Sequence, residues 1–196
     1  MEQKSRHPIT TGCSMSGIKP AMLDLPYPPI QVQCRNQDYA AMLAFDYCGP
    51  VSELSAITQY INNENRLCLS DCTLARTLLA IAMAEMMHLQ KLAQLITLLG
   101  GTVDYMARFQ NGKAVLWTPA CLSLPEQIGK MISVGIESEK AAINQYQMHI
   151  KMMDDPYINA VLARIIRDEE YHIMILQALW QEEKRNMSAG ICAQQK

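Results

Sequence analysis

The chain has no C-x-x-C pair, no cluster of Lys and Arg along any one segment and no long apolar run free of charge, and each gap closes off a class of protein. Without C-x-x-C, the seven cysteines at 13, 34, 48, 68, 72, 121 and 192 do not read as a disulfide framework or a rubredoxin-type iron knuckle. Most are expected to be reduced and structural; Cys68 and Cys72, four residues apart, could face one another on a helical turn, but a metal or redox role is not the expected one for the pair. A net charge of -2 provides no positive field for nucleic acid, which is not expected as a partner. The most apolar stretch, residues 74–99, is broken by Arg76, Glu85, His88 and Lys91, so it lacks the roughly 18 uninterrupted apolar residues of a membrane span. Nor do the first residues, polar and rich in proline (Pro26, Pro28, Pro29), resemble a secretory signal, and the cytoplasm is the expected location. Too few Gly and Pro for a collagen-like or disordered chain, with 49% apolar and 18% charged residues, describe one ordinary globular domain.

What the chain does have is periodicity. Leu74, Leu78, Ile81, Glu85, His88, Leu92, Leu95 and Leu99 step by 4 and 3 without a break, which is one face of a helix. Ile158, Leu162, Ile165, Glu169, His172, Leu176 and Leu179 repeat the same steps and residue classes. Asp155 and Pro156 suit the start of the second helix, and Gly100 with Gly101 suits the stop of the first. Such a seam faces a core, and a carboxylate buried there without a partner costs several kcal/mol. A Glu and a His three residues apart lie about one turn from each other on the same side, close enough to grip one ion. One E-x-x-H string is commonplace; two, each in the middle of a matching seam, point to two ions.

The other two helices repeat as well. Residues 49–60 and 135–146 share Gly, Ser, Glu, Ala, Ile, Gln and Tyr at seven of twelve places, and the offsets Glu53 to Glu85 and Glu139 to Glu169 are 32 and 30 residues. The expected fold is therefore all-α, a four-helix bundle of two duplicated helical hairpins. Glu53 and Glu139 point inward, whereas Glu137 and Glu170 are turned about 200° and 100° from the seams and are read as solvated. Tyr60 and Tyr146, two turns beyond their glutamates, should place buried hydroxyls within reach of a carboxylate on a facing helix. Asp168 can accept from the outer ring nitrogen of His88, while Ala84 holds the matching place before Glu85, so His172 needs a different partner. His7 and His149 are left outside the site, and the 14 methionines are read as core and interface filler. Pro50 either opens the first core helix or kinks a longer one from near Asn36.

One Glu from each of two helices and Glu-x-x-His from each of the others resembles the ligand set of the ferritin-like di-iron and di-manganese carboxylate proteins. The resemblance covers residues 36–185, between an extension over 1–35 and a tail over 186–196. Within that superfamily, Leu25-Pro-Tyr-Pro-Pro-Ile followed by Gly49-Pro-x-x-Glu53-Leu-x-Ala-x-x-x-Tyr60 is similar to the small manganese-catalase relatives, which include a spore-coat protein of similar length. Rubrerythrin-type peroxidases are the nearest rival. The chain has neither the Cys-rich iron domain of a full rubrerythrin nor the long C-terminal tail of larger manganese catalases. The resemblance implies a long crossover over residues 101–125, a homo-oligomer, a cytoplasmic or spore-associated location, and Glu53, Glu85, His88, Glu139, Glu169 and His172 as metal-site residues. Glu169 is a ligand in the di-iron relatives and sits beside the metals handling protons in manganese catalases; both roles stay open.

Four carboxylates against two divalent cations leave a nearly neutral site that tolerates burial. Imidazole with carboxylate suits manganese or iron, and two such ions can exchange the two electrons that cleave an O–O bond. The leading expectation is disproportionation of hydrogen peroxide, with Glu169, Tyr60 and Tyr146 as the catalytic residues. Its alternatives are a rubrerythrin-like di-iron peroxidase or ferroxidase acting on peroxide or dioxygen, and a structural coat or assembly protein whose bundle a metal staples.

Overall fold

A computed structural model describes residues 10, 12–108 and 113–193, with side chains to residue 185; His7 and the Cys192 thiol lie outside them. The described residues form five α-helices: α1 (Gln37–Cys48), α2 (Glu53–Leu67), α3 (Cys72–Leu98), α4 (Ile128–Met152) and α5 (Pro156–Ala193). Strands β1 (Met106–Arg108) and β2 (Ala114–Leu116) and a short 3-10 turn at Pro119–Cys121 lie in the crossover between α3 and α4. The strands pair antiparallel with Ala107 opposite Val115, so the crossover holds a small ribbon.

The first bundle helix is broken, which resolves the choice left open at Pro50. Asn36 caps α1 by accepting from Asp38 N and Tyr39 N, and Gly49 closes it. A Cβ at Gly49 would lie 2.6 Å from the Phe45 carbonyl oxygen, so a residue with a side chain cannot sit there without a backbone shift. Ser52 then caps α2 and accepts from Ser55 N, which makes Glu53 the first residue of the new helix. Together α1 and α2 run alongside α3 in the opposite direction. Asn36 N donates to Leu99 O at one end, and Leu67 packs with Leu74 at the other.

Helix α3 ends at Gly100, which takes φ +86, the left-handed region that glycine adopts at no steric cost. Asp155 caps α5 through Tyr157 N and Ile158 N, with Pro156 in the first helical position, and α5 continues past residue 185 to Ala193. By length and composition α3 is apolar enough to cross a membrane. Its inner face nevertheless carries Glu85 and His88, both fully buried, as befits a core helix of a bundle.

Two apolar layers enclose a charged one. Leu92, Leu95, Ile158, Leu162 and Ile165 belong to one cluster, and Leu74, Leu78, Ile81, Ile132 and Leu176 belong to the other. Glu85 and His88 fall between Ile81 and Leu92 on α3, and Glu169 and His172 between Ile165 and Leu176 on α5. Burying the flanking leucines and isoleucines, each contributing about 2–3 kcal/mol, offsets the cost of placing ionisable groups in the middle.

Most of the described cysteines are free, as expected, but one disulfide corrects the reading that none would pair. Cys13 and Cys72 form a disulfide across a sequence separation of 59, while Cys34, Cys48, Cys68 and Cys121 are free. An odd cysteine count without close spacing carries no pairing information, and Cys68, the near neighbour of Cys72, is not the partner. The bridge fastens the start of α3 to the segment leading up to residue 35. That segment crosses the bundle as a strap: Ala21 N donates to Ala80 O, Arg164 Nη2 donates to Leu23 O and Leu25 O, and Gln33 N donates to Asp155. Replacing Cys13 with serine is expected to lower unfolding free energy by about 2–4 kcal/mol through the lost constraint on the unfolded chain. Urea denaturation of the two proteins side by side checks this.

Candidate dinuclear metal centre

All six residues singled out by the duplicated seams meet at one level of the bundle. Helix α2 supplies Glu53, α3 supplies Glu85 and His88, α4 supplies Glu139, and α5 supplies Glu169 and His172, all buried. Glu137 and Glu170 point outward, paired with Lys140 and Arg167.

The donors sort into two sets. His88 Nδ1 lies 2.9 Å from Glu85 Oε2, 3.2 Å from Glu169 Oε1 and 3.7 Å from Glu53 Oε2. His172 Nδ1 lies 3.0 Å from Glu169 Oε2, 3.1 Å from Glu85 Oε1 and 3.8 Å from Glu139 Oε1. Glu85 and Glu169 thus turn one oxygen to each histidine, while Glu53 and Glu139 belong to one histidine each. Within each set of four the ligand atoms lie within 4.8 Å of one another, a spacing that can hold a metal ion. Glu85 Oε1 and Glu169 Oε1 are buried and accept no hydrogen bond. Buried carboxylate oxygens without a donor are costly, and two cations would satisfy both. The donor set therefore fits a dinuclear site of hard or borderline ions.

Both histidines present Nδ1 inward because Nε2 is engaged outside. His172 Nε2 donates to the Ala21 carbonyl at 2.8 Å. A carbonyl can only accept, so the neutral ring keeps its proton on Nε2 and leaves Nδ1 bare for a ligand. His88 Nε2 faces Asp168 Oδ2 at 3.3 Å. Asp168 also receives Leu23 N at 2.9 Å, Tyr27 Oη at 2.7 Å and Arg164 Nη1 at 2.7 Å. Tyr27 is in turn held between Lys91 Nζ and the Arg164 guanidinium, 4.2 and 4.5 Å from its ring centre. One histidine has a carboxylate behind it and the other a neutral carbonyl. Ala21, Leu23, Tyr27 and Arg164 carry no signal in the seams; the i, i+4 spacing of Arg164 and Asp168 is the one local pattern from which a pair could be read.

The tyrosines cross between hairpins. Tyr60 on α2 donates to Glu139 on α4, and Tyr146 on α4 donates to Glu53 on α2. Gly135 makes room for the first of these, since a Cβ there would lie 3.3 Å from the Tyr60 hydroxyl. His149 stands apart, in a buried pair with Asp46 at 2.7 Å that also receives Gln145 Nε2.

Burial pushes the Glu53 and Glu139 carboxyls well above the usual range, and the charges of Glu85 and Glu169 push the same way. Burial also acts to raise Glu85, but His172 and His88 outweigh it and hold that carboxyl below its ordinary value. The two histidines are raised well above the imidazole range: burial opposes this, and the carboxylates around them overcome it. In sign, the raised Glu53, Glu139, His88 and His172 bind more protons folded than unfolded. Their contribution to the metal-free fold is full below the unfolded values, about 4.3 for Glu and 6.5 for His, and is lost as pH rises through the folded ones. A divalent cation replaces those protons. The rise in Tm on adding Mn2+ should therefore grow from pH 5.5 to pH 8, as followed by scanning calorimetry; a rise that shrinks over that interval would speak against carboxylate and imidazole ligation.

A duplicated bundle whose shared carboxylates and inward-facing histidines are compatible with a dinuclear metal site has the ferritin-like fold, and the comparisons agree. Residues 51–180 match the rubrerythrin family model, and the chain belongs to the rubrerythrin family. The manganese catalase KatB of Anabaena superposes with a TM-score of 0.73 at 19% identity, over 82% of this chain and 79% of the catalase. Bacterioferritin of Rhodobacter capsulatus gives 0.64 at 20% identity over 78% and 89%, and that of Desulfovibrio desulfuricans 0.61 at 24% over 75% and 80%. At these identities the likeness is one of fold. No curated protein sequence is detectably similar to the chain.

Proposed function

We propose that the chain is a di-metal oxidoreductase that disproportionates hydrogen peroxide. The observation that carries the reading is the sharing of Glu85 and Glu169 between two histidine-centred donor sets. In this reading Glu53, Glu85, His88 and Glu169 hold one ion, and Glu85, Glu139, Glu169 and His172 hold the other. Manganese or iron, bound as a pair, supplies a store of two electrons at neutral charge balance. The KatB neighbour is a manganese catalase, and a bacterioferritin neighbour has a di-iron site.

The chain's own groups order and proton-load the site. Tyr60 and Tyr146 fix Glu139 and Glu53 by donating to them, so each terminal carboxylate keeps one orientation as its charge changes. Glu169 opens onto the cavity that reaches the site, and its Oε1 has no hydrogen-bond donor. Glu85 Oε1 shares both properties and serves both ions; Glu169 is the one proposed to take a substrate proton, in the role in which it stands beside the ions and not between them. Ala21 and Asp168 keep the histidine protons on the outer nitrogens, away from the reacting centre.

Oxygen release from peroxide by manganese-loaded protein, measured with an oxygen electrode, tests the reading. Sustained release without added reductant is the expected result. The family match favours a second reading, a rubrerythrin-like peroxidase, which would consume peroxide only when a reductant is supplied. Homo-oligomerisation accompanies both readings.

A further inference from the structure

A cavity of about 460 Å3 leads from the surface to the carboxylate side of the centre. Its floor is Glu53, Glu85, Glu139 and Glu169; neither histidine lines it, because both are covered by the strap. Pro50 and Ser133, both exposed, stand at the mouth. Its wall carries Val51, just before α2, Ala56 on α2 and Val134, Ala141 and Ala142 on α4, with serine and glutamine side chains between them.

Volume and chemistry of this wall exceed what hydrogen peroxide requires. Peroxide is close to water in size, and one water takes about 30 Å3 of liquid. A passage for so small and polar a molecule needs neither this volume nor the apolar surface that Val51, Ala56, Val134, Ala141 and Ala142 add to it. Pockets of about 300–1,000 Å3, mostly apolar with a few convergent polar groups, are those that take organic ligands. Here the buried carboxylates converge at one end, where Glu85 Oε1 and Glu169 Oε1 have no hydrogen-bond donor, while Ser55, Gln59 and Gln145 on the wall are engaged with Gly49 O, Ser123 N and Val51 O.

We infer that the cavity takes an alkyl hydroperoxide, with its carbon chain along the Val51, Ala56, Val134, Ala141 and Ala142 wall and its O–O end on the carboxylate floor. The inference rests on the di-metal peroxide reading above and names a second substrate class for that same site. The reaction balances with hydrogen peroxide as the reductant. The O–O bond of the alkyl hydroperoxide breaks, and its two oxygens leave as one alcohol and one water after taking up two electrons and two protons. One hydrogen peroxide supplies those electrons and protons and leaves as dioxygen.

Two measurements on the protein as purified test this. Straight-chain alcohols from butanol to hexanol, the products' chemistry, are titrated calorimetrically, and ethyl, butyl and hexyl hydroperoxides are then supplied with hydrogen peroxide to the manganese-loaded protein. Affinity for the alcohols should rise about fourfold per methylene, and KM for the hydroperoxides should fall by a similar factor. Ala142→Trp, which fills the wall, should lower the ratio of hexyl hydroperoxide to hydrogen peroxide kcat/KM by at least tenfold. Alcohol binding that is absent or independent of chain length in the unsubstituted protein, or a flat KM series beside normal hydrogen peroxide turnover, would overturn the inference and leave the peroxide reading standing. Chain-length-dependent alcohol binding with no turnover of any peroxide would overturn both.

Discussion

Replacing Glu85 with alanine is expected to reduce bound divalent metal from two ions per chain to one at most, with affinity lowered beyond the roughly 10–100-fold that loss of an outer hydrogen-bond partner costs. The effect is this large because Glu85 serves both donor sets, with Oε2 at 2.9 Å from His88 and Oε1 at 3.1 Å from His172. Removing it leaves each set with three donors and raises the net positive charge a second ion would bring. Glu137→Ala is the matched control, since Glu137 stands exposed beside Lys140 and should leave metal content unchanged. Competition with a chromogenic chelator, alongside far-UV circular dichroism to confirm folding, reads the difference. If Glu85→Ala and Glu137→Ala retain metal equally, the shared-carboxylate arrangement is not the binding site.

Asp168→Asn is expected to weaken the two positions unequally. The charge of Asp168 behind His88 Nε2 makes that imidazole a stronger donor than His172, whose outer partner is a neutral carbonyl. Burial acts to raise the Asp168 carboxyl, but His88, Arg164, the strap amide of Leu23 and the Tyr27 hydroxyl together hold it well below the ordinary aspartate range. It is therefore ionised near neutral pH. Stepwise Mn2+ titration should show affinity at the His88 position falling about 10–100-fold while that at the His172 position changes little. Equal weakening of both steps would mean that Asp168 acts through general stability, as Arg164 loses its buried partner.

Much of this arrangement is legible in the sequence because it obeys a helical period. Glu85 and His88 sit in an unbroken 4-3 seam, and the same seam recurs around Glu169 and His172, so the residues that meet in space are those the period places on inner faces. Tyr60 and Tyr146 follow from the same rule, two turns beyond their glutamates. The break at Gly49 to Ser52 is legible only as an alternative, since Pro50 fits both a helix start and a kink.

The strap is the part no period reveals. Its contacts to the site run through the Ala21 carbonyl and the Leu23 amide, groups that every residue type carries, so composition and spacing are silent about them. Cys13 meets Cys72 across 59 residues, a separation that no local pattern encodes. Asp46 and His149 likewise pair only after α1 packs on α4, and a histidine outside the seam gave no hint of a buried partner.

The most direct test of the central claim is metal content per chain, by inductively coupled plasma mass spectrometry, on protein purified without chelator. Close to two manganese or iron ions per chain, falling to one at most in Glu85→Ala, is the predicted result. A chain that takes up no metal from excess Mn2+ or Fe2+ while remaining folded would contradict the account.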